Sequence, residues 1–201
     1  RPEEDMVAED TIEEALAGRS VTVAVQEPPL GTGDAVRCAL PALGGEGGPV
    51  LVLSGDVPLL KSETLAALLE KRRAGSLDLA FLSFVPPEPG AFGRVVRDAK
   101  GRVQRIVEAR NATAREAKIG EVNAGVYCFA PGALARAIGA LKKNRASGEY
   151  YLTDVVSLAI EDGVKREIEI PPRETGSGSS VNGGELAKVI SGLRPVPWTM
   201  T

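Results

Sequence analysis

Short apolar segments alternate along the chain with apolar residues at helical spacing. Val21 to Val25, Val50-Leu51-Val52-Leu53 and Leu79 to Phe84 have the length and bounding residues of strands. The unbroken apolar run Val50 to Leu53 predicts a strand covered on both faces, as parallel strands are. Between these runs Ala35, Val36, Ala39 and Leu40 recur at helical spacing, and Leu65, Leu68 and Leu69 mark one face of a second helix. This alternation predicts an α/β domain built on a mostly parallel sheet.

From Gly93 the texture changes to shorter strands, Val95 to Arg97, Val103 to Glu108 and Val122 to Phe129, with Lys100-Gly101 as a hairpin turn between the first two. The sheet is therefore expected to be mixed. Helices are predicted over Ala133 to Leu141 and Leu152 to Glu161, then a strand over Lys165 to Ile170, a glycine and serine stretch over Glu174 to Ser180 and a short helix over Glu185 to Leu193. At the other end Thr11 is placed to cap a short helix reaching Ala17. Residues 1–194 are read as one domain and 195–201 as a terminal tail. Arg1 to Asp10 is acidic and has no initiating Met, so the chain is not expected to start at a natural beginning.

Composition narrows the function classes. Hydrophobic residues make up 43% of the 201 positions and charged residues 25%, enough to bury a core. No apolar run approaches the roughly 18 residues that cross a bilayer, so no membrane association is expected. The 24 basic against 27 acidic residues include no basic block, which argues against a nucleic-acid partner. Cys38 and Cys128 sit far apart within apolar patterns, as reduced core thiols do, and a cytoplasmic location follows. The absence of histidine removes histidine bases, Ser/His and Cys/His catalysis and the usual zinc sites. Chemistry here must rest on carboxylates, amides, backbone groups and a hard metal.

Several residues could carry it. Asp56 follows the Val50 to Leu53 strand, and ligands of open α/β sheets bind beyond strand carboxyl ends. Read alone, Ser54-Gly55-Asp56-Val57-Pro58 is either a strand-ending turn or a place for a cation. Leu30-Gly31-Thr32-Gly33-Asp34-Ala35 lies between strand and helix, where glycines allow close approach of a ligand. Val36 stands where a dinucleotide fingerprint needs its third glycine, and no Gly-Lys-Ser/Thr loop occurs, which disfavours NAD binding and P-loop chemistry. Gly93, Glu108 and Asn123 fall at strand edges, as solvated ends or as partners for sugar hydroxyls. Glu149-Tyr150-Tyr151-Leu152-Thr153-Asp154 reads as a helix cap with core aromatics, and Asn182 as a loop residue or an oxygen ligand.

Taken in order, these segments resemble the sugar-1-phosphate nucleotidylyltransferases, and among them the uridylyltransferase domains that make UDP-N-acetylglucosamine. The matching pieces are Gln26 with Leu30 to Ala35, Leu53 to Leu59, Phe92 to Arg97, Ile106 to Glu108, Glu121 to Gly125, Gly148 to Asp154 and Val181-Asn182. The resemblance implies a Rossmann-like, mixed and mostly parallel sheet of the nucleotide-diphospho-sugar transferase type. It implies that Gln26, Gly31 and Thr32 contact the nucleotide, that Gly93, Glu108, Asn123 and Thr153 hold the sugar, and that Asp56 and Asn182 hold a catalytic magnesium ion. UTP and N-acetylglucosamine 1-phosphate would be the substrates and UDP-N-acetylglucosamine the product, with room for a homo-oligomer. The family's N-terminal Gly-rich triphosphate loop has no counterpart before Gln26, so impaired activity is expected of this chain by itself. A catalytically silent sugar-nucleotide-binding module, or a relative using another sugar phosphate, is the alternative.

Overall fold

A computed structural model describes residues 18–43, 47–55, 57 and 60–161. Helices α1 (Thr32–Ala39), α2 (Ser62–Ala74), α3 (Ala133–Ala140) and α4 (Asp154–Glu161) flank a sheet of β1 (Val50–Leu53), β2 (Leu79–Phe84), β3 (Arg94–Arg97), β4 (Val103–Val107) and β5 (Val122–Phe129). The α/β class is as expected. The sheet's parallel character, however, is not carried by these five strands, because every pair they form is antiparallel.

The reason lies in β5, which pairs with β1 along Val126 to Phe129 and with β2 along most of its length. β1 and β2 therefore run in the same direction but are kept apart by the antiparallel strand between them. β3 pairs with the start of β5 at Val122, and β4 follows by a hairpin whose turn is stapled by Asp98, which accepts from the backbone N–H groups of Lys100 and Arg102.

Side chains alternate across β2 and β5 and feed two cores. Phe81, Tyr127 and Phe129 face one cluster with Leu134, Ile138, Leu152 and Val155 from α3 and the α4 region. Ala80, Leu82, Val126 and Cys128 face the other, closed by Leu68 and Leu69 of α2. Both faces of β2 and β5 are thus largely buried, which accounts for the near-continuous apolar runs in these strands.

One expected strand is not formed. Val21 to Val25 pairs with no strand among the described residues, and Val21, Val23 and Val25 are exposed. Their alternation carries a strand's period, but period alone makes no strand without a neighbour for the backbone to bond. The expected helix from Thr11 to Ala17, the strand Lys165 to Ile170 and the helix Glu185 to Leu193 lie outside the described residues.

Candidate active site

The loop before α1 is built on the segment before α4. Gly33 N–H donates to the Tyr150 carbonyl at 2.8 Å and Tyr150 N–H to the Leu30 carbonyl at 2.7 Å. Thr32 Oγ1 accepts from the Leu152 N–H at 3.0 Å. Gly31 caps the helix with φ of 100°, and a Cβ there would sit 2.8 Å from the Tyr150 carbonyl oxygen. Only glycine fits both the backbone angle and the gap.

Gln26 folds over the same loop, its Nε2 donating to the Gly31 carbonyl and to Asp34 Oδ2, both at 3.0 Å. Asp34 is also bonded by Arg37 at 2.8 Å, and the Arg37 guanidinium lies 4.2 Å from the centre of the Tyr150 ring. The structure therefore brings Gln26, Gly31 and Thr32 together and gives each a part in holding the loop's shape.

The second group converges from four elements. Asn123, on β5, donates its backbone N–H to the Gly93 carbonyl at 2.8 Å. Glu108, at the end of β4, accepts from Thr153 Oγ1 at 2.7 Å, just before α4. Asn123 Nδ2 donates to the Tyr127 hydroxyl at 2.7 Å, while Asn123 Oδ1 is buried with no hydrogen-bond partner among the described residues. A side-chain oxygen left unpaired in a buried place is costly unless a ligand supplies a donor.

Electrostatics supports the same picture. Burial, reinforced by the Glu108 charge, raises the Asp154 carboxyl above its ordinary range. Burial also pushes the Tyr127 phenol up, against the Asn123 hydrogen bond, and Glu108 adds to the rise. The Glu108 carboxylate thus acts on both groups, and with the unpaired Asn123 Oδ1 it offers acceptors to a ligand carrying hydroxyl or amide N–H groups.

Sequence reading missed several supporting residues. Arg94 is buried and gives its guanidinium to the Pro89, Gly90 and Phe92 carbonyls, fixing the loop that presents Gly93. Arg110 pairs with Glu149 and lies 5.1 Å from the centre of the Tyr151 ring, tying the Glu108 loop to the Thr153 loop. A charged residue next to Gly93 was a signal for the first; the second pair is 39 residues apart and gave none.

Asp56 and Asn182 lie outside the described residues. The strand leading to Asp56 is anchored to β5, because Ser54 N–H and Oγ both donate to the Gly125 carbonyl, at 3.1 and 3.2 Å. Among the described residues no group of three or more Asp, Glu, His or Cys could hold a metal ion. No helix there is long and apolar enough to cross a membrane. A separate cleft of about 600 Å³ lies between the β3–β4 hairpin and the segment 113–121, lined by Arg97, Arg115, Glu116 and Lys118 and by none of the convergent side chains.

The family described as nucleotidyl transferase matches residues 1–173. A protein named Bifunctional protein GlmU from Burkholderia ambifaria is 48% identical over 154 residues, covering 77% of this chain and 33% of the relative. Proteins of the same name from Burkholderia multivorans and Geotalea uraniireducens are each 43% identical, over 183 and 156 residues, covering 90% and 77% of this chain and 40% and 34% of themselves. The chain thus spans between a third and two fifths of the length of these curated relatives. With a family match over residues 1–173 and 48% identity to such a relative over 154 residues, the chain belongs to the nucleotidyl transferase family.

Proposed function

We propose that this chain carries the uridylyl-transfer site that joins UTP and N-acetylglucosamine 1-phosphate into UDP-N-acetylglucosamine and pyrophosphate, in the cytoplasm. The observation that carries this reading is the joining of four separated segments, Asn123 to Gly93 and Thr153 to Glu108, with Asn123 Oδ1 left buried and unpaired among the described residues. In this reading they hold the sugar, Glu108 and Asn123 Oδ1 accepting from its hydroxyl and amide N–H groups. Gln26, Gly31 and Thr32 hold the uracil, residues 1–194 form the transferase domain and 195–201 a tail.

Asp56 and Asn182 would hold magnesium. One carboxylate and one amide oxygen are the hard donors that ion takes, with water completing its shell. When bound, the ion would neutralise phosphate charge and align the triphosphate. The chain's own share is placement. An oxygen of the sugar phosphate attacks the α-phosphorus of UTP, the bond to the β-phosphate oxygen breaks, and pyrophosphate leaves. No protein nucleophile is needed, in keeping with a chain without histidine.

The test uses the intact gene product. Pyrophosphate release from UTP and N-acetylglucosamine 1-phosphate with magnesium is expected, and its loss in Asp56→Asn with the fold unchanged by circular dichroism. Full activity in Asp56→Asn would remove that residue from the site; release with glucose 1-phosphate but not with its N-acetylamino counterpart would overturn the substrate.

A further inference from the structure

We infer that Tyr127 is a positioning residue for the sugar: its hydroxyl takes up the amino end of the Asn123 amide and turns the amide oxygen toward the ligand. The inference rests on the reading above, in which Asn123 touches the sugar.

The contact is not one a regular strand would make. Residues four apart on an extended strand are about 13 Å apart along the chain. Here Nδ2 of Asn123 and the hydroxyl of Tyr127 meet at 2.7 Å. A break in β5 brings them together. Opposite β2, Phe81 pairs with Tyr127 and Ser83 with Asn123, so one residue on β2 spans three on β5. Within that bulge Gly125 adopts φ of 70°, and a Cβ there would meet Ser54 Oγ at 2.3 Å. The irregularity bends the strand where its two polar side chains face each other.

The direction of the amide follows from the charges around it. Tyr127 is buried and neutral, and the field of the Glu108 carboxylate reaches it. That field favours the phenol hydrogen turned toward the carboxylate and a lone pair turned toward Asn123. Asn123 must then present its NH₂ to Tyr127, which leaves Oδ1 as the buried atom without a partner. Tyr127 thereby converts an ambidextrous amide into a fixed acceptor.

The experiment is a double-mutant cycle in the intact protein with Tyr127→Phe, Asn123→Ala and the double variant, measuring KM for N-acetylglucosamine 1-phosphate and for UTP. Tyr127→Phe is expected to raise the sugar-phosphate KM about tenfold, with the UTP KM within about twofold of the parent. In the Asn123→Ala background the same change is expected to add nothing, because its effect passes through that amide. Additive effects, or an equal rise for both substrates, would overturn the proposal by making Tyr127 a plain core residue. An inactive parent would instead count against the underlying function. Should Tyr127→Phe not fold, the Asn123 side-chain NH₂ in a ¹H–¹⁵N spectrum of the parent decides: one slowly exchanging proton is expected, and two exchanging like those of an exposed asparagine would overturn the assignment.

Discussion

Thr153 Oγ1 donates to Glu108 Oε1 at 2.7 Å, joining residues 45 positions apart at the entrance to α4. Under the proposed function this bond holds the carboxylate for the sugar. Thr153→Val keeps the shape and removes the donor. We expect KM for N-acetylglucosamine 1-phosphate to rise about tenfold, UTP to be little affected, and Thr153→Ser to restore the parent value. Steady-state kinetics on the three proteins checks it. Glu108→Ala should give a larger effect of the same kind.

Gly31 combines a positive φ with a close approach to the Tyr150 backbone. Gly31→Ala is expected to cost about 2 kcal/mol or more, since neither the backbone angle nor the carbonyl can yield cheaply. Gly101 makes the contrast: its φ is 78° but a Cβ would meet nothing within 4 Å. Gly101→Ala should cost only about 1 kcal/mol, from the backbone angle alone. Urea unfolding of both variants separates the two contributions.

Glu116 accepts from the Thr113 hydroxyl and backbone N–H, at 2.7 and 2.9 Å, and pairs with Arg105. These partners, the Thr113 bonds foremost, hold its carboxyl at about 2 against an ordinary 4.5. The folded state therefore favours the ionised form. The stabilisation is complete above pH 4.5 and is lost as pH falls toward 2. Glu116→Gln should unfold at lower urea than the parent near neutrality, the gap closing as pH drops through that window. A gap that stays constant with pH would sink the linkage.

Burial pushes the Cys128 thiol up to about 12, opposed only in part by Arg72, whereas Cys38 is half-buried. Nucleophilic attack needs the thiolate. Iodoacetamide at about pH 8 should label Cys38 in the folded protein and reach Cys128 only after unfolding. Mass spectrometry of the digested protein tells the sites apart.

Local pattern carried a good part of this protein. The apolar run of β1, the helical spacing of Leu65, Leu68 and Leu69 and the Lys100-Gly101 turn are set by side chains within a few residues of one another, and each stands close to where the sequence puts it. Gly31 was legible for the same reason: a glycine between an apolar run and a helix marks a tight backbone. The family resemblance named Gly93, Glu108, Asn123 and Thr153, whereas pattern alone left the first three as either solvated strand ends or partners for sugar hydroxyls and Thr153 as part of a helix cap.

What only the tertiary structure decided was pairing. Whether two strands lie side by side depends on backbone bonds between distant segments, which hydrophobic period does not encode. So β5 enters between β1 and β2, and Val21 to Val25 has the period of a strand without a described partner. The bulge at Gly125, the meeting of Asn123 with Tyr127 and the Arg110–Glu149 pair belong to the same class. Sequence determined which residues could form strands, helices and acceptors; the packing of β5 against both neighbours decided which acceptors face one another, because that depends on register and on the fixed distance between strands.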